Sequence, residues 1–348
     1  MSRLLLWSFL IVAPMTASCA SAWNAASTAP PTVYADVETA PVKSSDDAAD
    51  DPAIWINAND PSESRVLGTD KQAGLYVYRL DGSIAQFLPS GRLNNVDVRQ
   101  NATLAGEIGD YAAASNRSDD TIVVFSIANG RVSELGRFPS LLPEPYGLCV
   151  GAPGDEFVVF VAHKTGDLLA YRIVNASTAT LAARRKFDTQ LEGCVFDEPT
   201  GRLYVGEEER GVWRTTYKDG AFGAPGLIDE VSRPGGLVAD VEGLTIRRGE
   251  DGDVLIASSQ GDNSFVVYDL QSDTPLLKFK VAAFDGVDGA EETDGVDVTS
   301  ASLGPSFPQG VFLLQDGLNK PGSSNQNFKF VDWRRIADLL NGEDLDTP

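Results

Sequence analysis

Apolar and polar residues alternate along this chain with period two in short runs, which predicts half-buried β-strands; helical periodicity is nearly absent. One unit recurs. A polar residue opens a short apolar strand; after a turn, a second apolar strand ends in small residues and a polar tip, and a Gly-containing loop leads to a third strand. The unit begins at "DDPAIWI", "NNVDVR", "PYGLCV", "LEGCVF", "VEGLTI" and "TDGVDV". Counted from Asp51, Asn95, Tyr146, Glu192, Glu242 and Asp294, the spacings are 44, 51, 46, 50 and 52 residues, the period of a four-stranded propeller blade. Second strands with their tips follow as "VLGTDK", "AAASNR", "VFVAHK", "LYVGEEE", "LIASSQGD" and "FLLQDG", and third strands as "GLYVYRL", "DTIVVFSI", "DLLAYRI", "GVWRTTY" and "SFVVYDL". The expected fold is all-β, a single-domain six-bladed β-propeller over residues 33–348. The segment "TVYADVETAPV" has no hairpin partner nearby and is expected to complete the last blade and close the ring. Only "WRRIADLLNG" reads as a helix.

The repeat turns scattered polar residues into a ring. In a blade, the first strand lines the central channel and the second runs antiparallel to it, so the start of one and the end of the other share one mouth. Strand-one starts bring Asp51, Asn95 with Asp97, Tyr146, Glu192, Glu242 with Asp240, and Asp294. Strand-two tips bring Lys71, Arg117 and Lys164 from blades one to three, and Glu208, Gln260 and Asp316 from blades four to six. Solvation alone has no reason to sort charges in this way, although each basic tip taken singly reads as a solvated charge. Carboxylates converging in a concavity repel unless a cation intervenes. Oxygen ligands, with one His in the chain, favour Ca²⁺ over zinc or copper. Basic groups facing such a cation suit an anionic substrate, phosphate above all.

Composition narrows the partners. The 348 residues carry a formal net charge of -22, which excludes the basic stripe a nucleic-acid partner needs. "DGAEETDGVDV", Asp288 to Val298, leads into the sixth inner strand, so its charge belongs at the mouth; Glu291 and Glu292 are expected to be solvated. Other phosphatase chemistries lack their parts: there is no "RHG", no C-x5-R loop and no Walker A sequence. His163, the single histidine, reads as a packing residue beside Lys164. With no side-chain nucleophile, metal-bound water is the expected attacking group.

The opening "MSRLLLWSFLIVAPMTASCASAW" reads as an export signal, with Arg3 before an apolar run too short to anchor in a bilayer. Cleavage after Ala22 and lipoprotein processing before Cys19 both fit, so residues 1–22 are a signal, residues 23–32 a disordered leader, and a lipidated Cys19 the one candidate membrane tether. The expected location is exported: periplasmic, outer-membrane or extracellular. Cys149 and Cys194 lie in apolar strand-like runs and are expected to be buried free thiols.

Beyond the repeat, "DDPAIW", "GTDKQAGLYVY", "GRLNNVDVR", "AAASNRSDDTI", "LEGCVFDEPTGRLYVGEEE", "VEGLTI", "ASSQGDNSFVVY", "TDGVDV" and "QDGLN" followed by "NQNFKFVDW" resemble the β-propeller phytases, in order from about Val33 to Leu340. The resemblance implies a calcium-dependent 3-phytase, a monomer that removes phosphates from calcium phytate (myo-inositol hexakisphosphate). It implies catalytic calcium ligands at Tyr146, Glu192, Asp240, Glu242 and Asp288. Structural calcium positions fall on Glu38, Asp47, Asp50, Asp51, Glu208, Gln260, Asp316 and Asn319, with carbonyls at Pro52 and Val96. Phosphate contacts fall on Lys71, Arg117, Lys164, Tyr146 and Asp294, with Asp294 also a candidate acid. Where such phytases can carry two consecutive lysines this chain has Lys71 then Gln72, which is expected to weaken a second phosphate subsite. Two rivals stay open: a calcium-dependent propeller lactonase or esterase, which would not need three basic tips, and a non-catalytic propeller that binds polyanions.

Overall fold

The protein is described by a computed structural model covering residues 29–250, 252–320 and 325–342. The expected export signal, Cys19 and residues 23–28 of the leader lie outside those residues. Six sheets are arranged as the blades of a propeller. The inner strands are Ala49–Trp55, Leu93–Leu104, Pro145–Gly151, Leu191–Asp197, Val241–Arg247 and Val296–Thr299. They neighbour one another in chain order, and the sixth closes on the first.

Why the second strands read as unbroken apolar runs is now plain. Each blade is sandwiched between two others, so a strand such as Phe157–His163 is buried along its whole length. Six apolar clusters result, one per blade interface. Phe160 and Leu168 of blade three meet Phe196 and Leu203 of blade four, and Tyr76 and Tyr78 of blade one meet Phe328 and Phe330 of blade six. Outermost strands have one solvated side; Thr178–Lys186 is largely exposed.

Closure differs in detail from the expectation. Val37–Glu38 pairs antiparallel with Asn327–Asp332 and completes blade six, as expected. Thr32–Tyr34, in contrast, adds a parallel fifth strand to Pro275–Ala282 of blade five. The expected helix spans Trp333–Leu340, with the Asp332 side chain accepting from the Arg334 amide at its start.

The phase needs correcting by one residue in blades one and two. Every inner strand from the first to the fifth carries a bulge near its start, between Ala49 and Pro52, Leu93 and Val96, Pro145 and Leu148, Leu191 and Cys194, and Val241 and Leu244. The first bulged residues are therefore Asp50 and Asn94, then Tyr146, Glu192 and Glu242, with Asp294 in the matching place before the sixth strand. In blades three to six a Gly follows each: Gly147, Gly193, Gly243 and Gly295. A Cβ on Gly147 would lie 1.8 Å from the Glu192 carbonyl oxygen, and one on Gly193 would lie 2.1 Å from that of Glu242. Blades one and two carry Asp51 and Asn95 at that second place, and the doubled "DD" and "NN" hide the phase.

Cys149 and Cys194 are not free thiols. They form a disulfide with Cα atoms 5.6 Å apart. The reason lies in the repeat: the two are 45 residues apart, about one blade period, and adjacent inner strands bring positions one period apart into contact. Their burial is as expected. Elsewhere side chains clasp adjacent blades. Asp51 Oδ2 accepts from the Val96 amide at 3.0 Å, Asp97 Oδ2 from Val150 at 2.8 Å, and Asp297 Oδ2 from Ile54 at 2.8 Å, while Thr245 Oγ1 donates to Asp297 Oδ1 at 3.0 Å. The disulfide occupies the junction of blades three and four.

Candidate active site

The bulges gather their first residues into a ring at one mouth of the channel. Successive turns of the ring are bonded through backbone: the Gly243 amide donates to the Asp294 carbonyl at 2.8 Å and the Gly295 amide to that of Asp50 at 3.0 Å. Above the ring opens a cavity of about 980 Å³ whose walls include Asp47, Lys71, Tyr146, Glu208, Asp240, Glu242, Gln260 and Asp294. Glu291 and Glu292 also line it, Glu292 from an exposed position.

Two charge groups confront each other. Ligand oxygens of Glu192, Glu208 and Glu242 all lie within 4.8 Å of one another, and all three residues are buried. Opposite, the Lys71 ammonium lies 2.5 Å from Asp47, 3.1 Å from Asp50 and 2.8 Å from Asp294. Burial alone would lower the Lys71 pKa, but Asp50, Asp294 and Asp47 outweigh it and hold the group well above its usual range. Gln260 Nε2 donates to Asp294 Oδ1 at 2.5 Å. The Tyr146 ring lines the same cavity, with Lys164 Nζ 4.2 Å and the Arg117 guanidinium 5.7 Å from its centre, within cation–π range.

Burial pushes the Glu192 and Glu242 carboxyls well up, and Asp294 and Glu208 add repulsion to both. Asp294 is pushed to about 7, by burial first, with Lys71 opposing. Tyr146 is pushed far above the phenol range by burial and by the charge of Glu192. Left to itself this side of the mouth retains protons, and a cation seated among the oxygens would relieve the same repulsion. Glu242 Oε2 is buried and takes no hydrogen bond. An all-oxygen donor set with an unused buried lone pair fits a hard divalent cation such as Ca²⁺.

The remaining expected metal positions fall in two other places. Asp51, Pro52 and Val96 line a channel cavity of about 40 Å³ beneath the mouth, with Asp97 and Asp297. Glu38, Asp288 and Asp316 gather instead around the fully buried Lys329, whose ammonium lies 3.2 Å from Glu38 and 3.1 Å from Asp316 and contacts Asp288. Asn319 donates to the Asn325 carbonyl nearby at 3.1 Å. Asp288 thus faces Lys329 and the Lys320 amide rather than the Glu192 group. Sequence reasoning missed Gln190, which donates to Glu208, and Asn94, whose signal was its bulge phase. His163 is buried, and that burial lowers its pKa.

A family model described as Phytase matches residues 2–347, nearly the whole chain. Propeller and mouth thus belong to a phosphoric monoester hydrolase. A relative from Bacillus subtilis (strain 168), a 3-phytase, is 38% identical over 330 residues, covering 88% of this chain and 85% of its own. The chain belongs to the phytase family.

Proposed function

We propose that this chain is a calcium-dependent phosphomonoesterase that hydrolyses phytate to lower inositol phosphates and inorganic phosphate. The observation that carries the reading is the buried triad of Glu192, Glu208 and Glu242 set against Lys71 across one mouth. Tyr146, Glu192, Asp240 and Glu242 would hold Ca²⁺, joined by Glu208 and Gln260. Bound there, the ion supplies Lewis-acid polarisation of a phosphate oxygen and a more acidic water.

The chain's own groups do the rest. Lys71 is held by three carboxylates and offers its ammonium to a phosphate oxygen, while Lys164 and Arg117, fixed over the Tyr146 ring, orient the same anion and offset charge that develops on it. Asp294 accepts from Lys71 and Gln260 and its carboxyl is pushed up to about 7, so its protonated form can hydrogen-bond the phosphate or protonate the departing inositol oxygen. We further read the protein as an exported monomer, tethered to a membrane only if Cys19 is lipidated; cell fractionation and a radiolabelled lipid test this.

Phosphate release from calcium phytate should be abolished by chelator and restored by Ca²⁺. A lactonase would instead open lactones, and a polyanion-binding propeller would release nothing. Glu192→Gln should lower kcat by about a hundredfold or more; full activity in calcium would reject this assignment.

A further inference from the structure

The ring contains one amide. Asn94 is fully buried at the bulge position that its neighbours fill with Asp50, Tyr146, Glu192, Glu242 and Asp294. Its Nδ2 donates to Glu192 Oε1 at 3.2 Å and to Asn95 Oδ1 at 2.9 Å, and lies 3.4 Å from Asp50 Oδ1. The opposite amide orientation would aim a carbonyl oxygen at three acceptors, so the donor orientation is the one the surroundings select. Its Oδ1 is buried and takes no hydrogen bond.

We propose that Asn94 is the positioning residue of the mouth, a neutral bridge that fixes the Glu192 and Asp50 carboxylates in their facing geometry. The inference deepens the proposed function and rests on it where calcium is concerned. An amide suits this place for two reasons. It supplies donors to two carboxylates without adding a positive charge that would compete with a bound cation, and it adds no further negative charge to a ring whose carboxyls already repel. A lysine here would be a rival cation, and an aspartate a further repelling group. Preorganising two ligands lowers the ordering cost that a cation would otherwise meet on binding.

Asn94→Leu keeps the branched shape, at a larger volume, and removes the donors; Asn94→Ala serves if leucine prevents folding. Calcium is titrated into the chelator-treated protein by calorimetry. The expected result is a dissociation constant for the tightest mouth site raised about tenfold. Calcium affinity unchanged in the variant, whatever the melting temperature does, would overturn the proposal. If the unaltered protein itself takes up no calcium, the proposed function fails, and the bridge is then judged by a crystal structure of the metal-free variant. Displacement of the Glu192 and Asp50 carboxylates upholds it, and carboxylates left in place overturn it.

Discussion

Gln72 shows how a single residue can be read correctly for its absence of charge and incompletely for its contacts. The sequence shows a neutral side chain after Lys71. Its amide in fact donates to the Ser45 carbonyl at 2.7 Å and the Asp47 carbonyl at 3.3 Å, tying down the rim loop that presents Asp47 to Lys71. A lysine there would keep one donor for that loop and add a charge at the rim. Gln72→Lys should therefore lower KM for phytate a few-fold and leave kcat unchanged, because an added contact made equally in ground and transition states changes KM alone. Steady-state kinetics check this, and an unchanged KM would remove the second-subsite idea. Lys71, Tyr146, Glu192, Glu242 and Asp294 were legible because phase and residue type agreed. The phase passed over Asp50 and Asn94, because each is followed by a second residue of its own kind; Asp50 came from likeness alone, and Asn94 was missed. Asp288 was assigned from likeness alone, and its partner Lys329 lies 41 residues further on, a distance that no local pattern spans.

Among the elements, second strands such as Phe157–His163 and Val254–Ser259 were the most legible, since burial on both faces keeps them free of charge. The outer strands are solvated and carry a weaker pattern, and the parallel pairing of Thr32–Tyr34 with Pro275–Ala282 is a tertiary choice without a turn to announce it. What turns the inner strands into a site is the bulge, which aims one side chain per blade at the mouth and packs the next residue against the adjoining blade. Gly147 tests this directly. With a Cβ 1.8 Å from the Glu192 carbonyl oxygen, Gly147→Ala must push apart the backbones that carry Tyr146 and Glu192. Destabilisation of about 3 kcal/mol is expected, measurable by urea unfolding, together with a loss of activity. A variant as stable as the parent would mean that the bulges are looser than the packing indicates.

For the molecule as a whole, the channel makes stability depend on pH. Burial pushes Asp97 to about 7, helped by the nearby charge of Asp297, and burial pushes Asp297 to about 6. A carboxyl whose folded pKa exceeds its unfolded value of about 4 binds its proton more tightly in the native state. Its contribution is complete below that unfolded value and is lost as pH rises through the folded one, a difference of about 4 kcal/mol for Asp97 and about 3 kcal/mol for Asp297. In chelator, stability should therefore decline between about pH 5 and pH 8, the mouth carboxyls acting in the same direction. Thermal melts across that range check it; a stability that held or rose would show that these carboxyls ionise normally.

The bond between Cys149 and Cys194 has a consequence of another kind. It joins two inner strands across a stretch that includes the exposed turn at Ala176 and Ser177. A protease that nicks this turn would break the polypeptide without separating its parts: the two pieces would migrate as one species until a thiol is added, then as two. A nick at a comparable turn in another blade would release its fragments as soon as the protein is denatured, so the propeller has one arc that can be cut and still hold together.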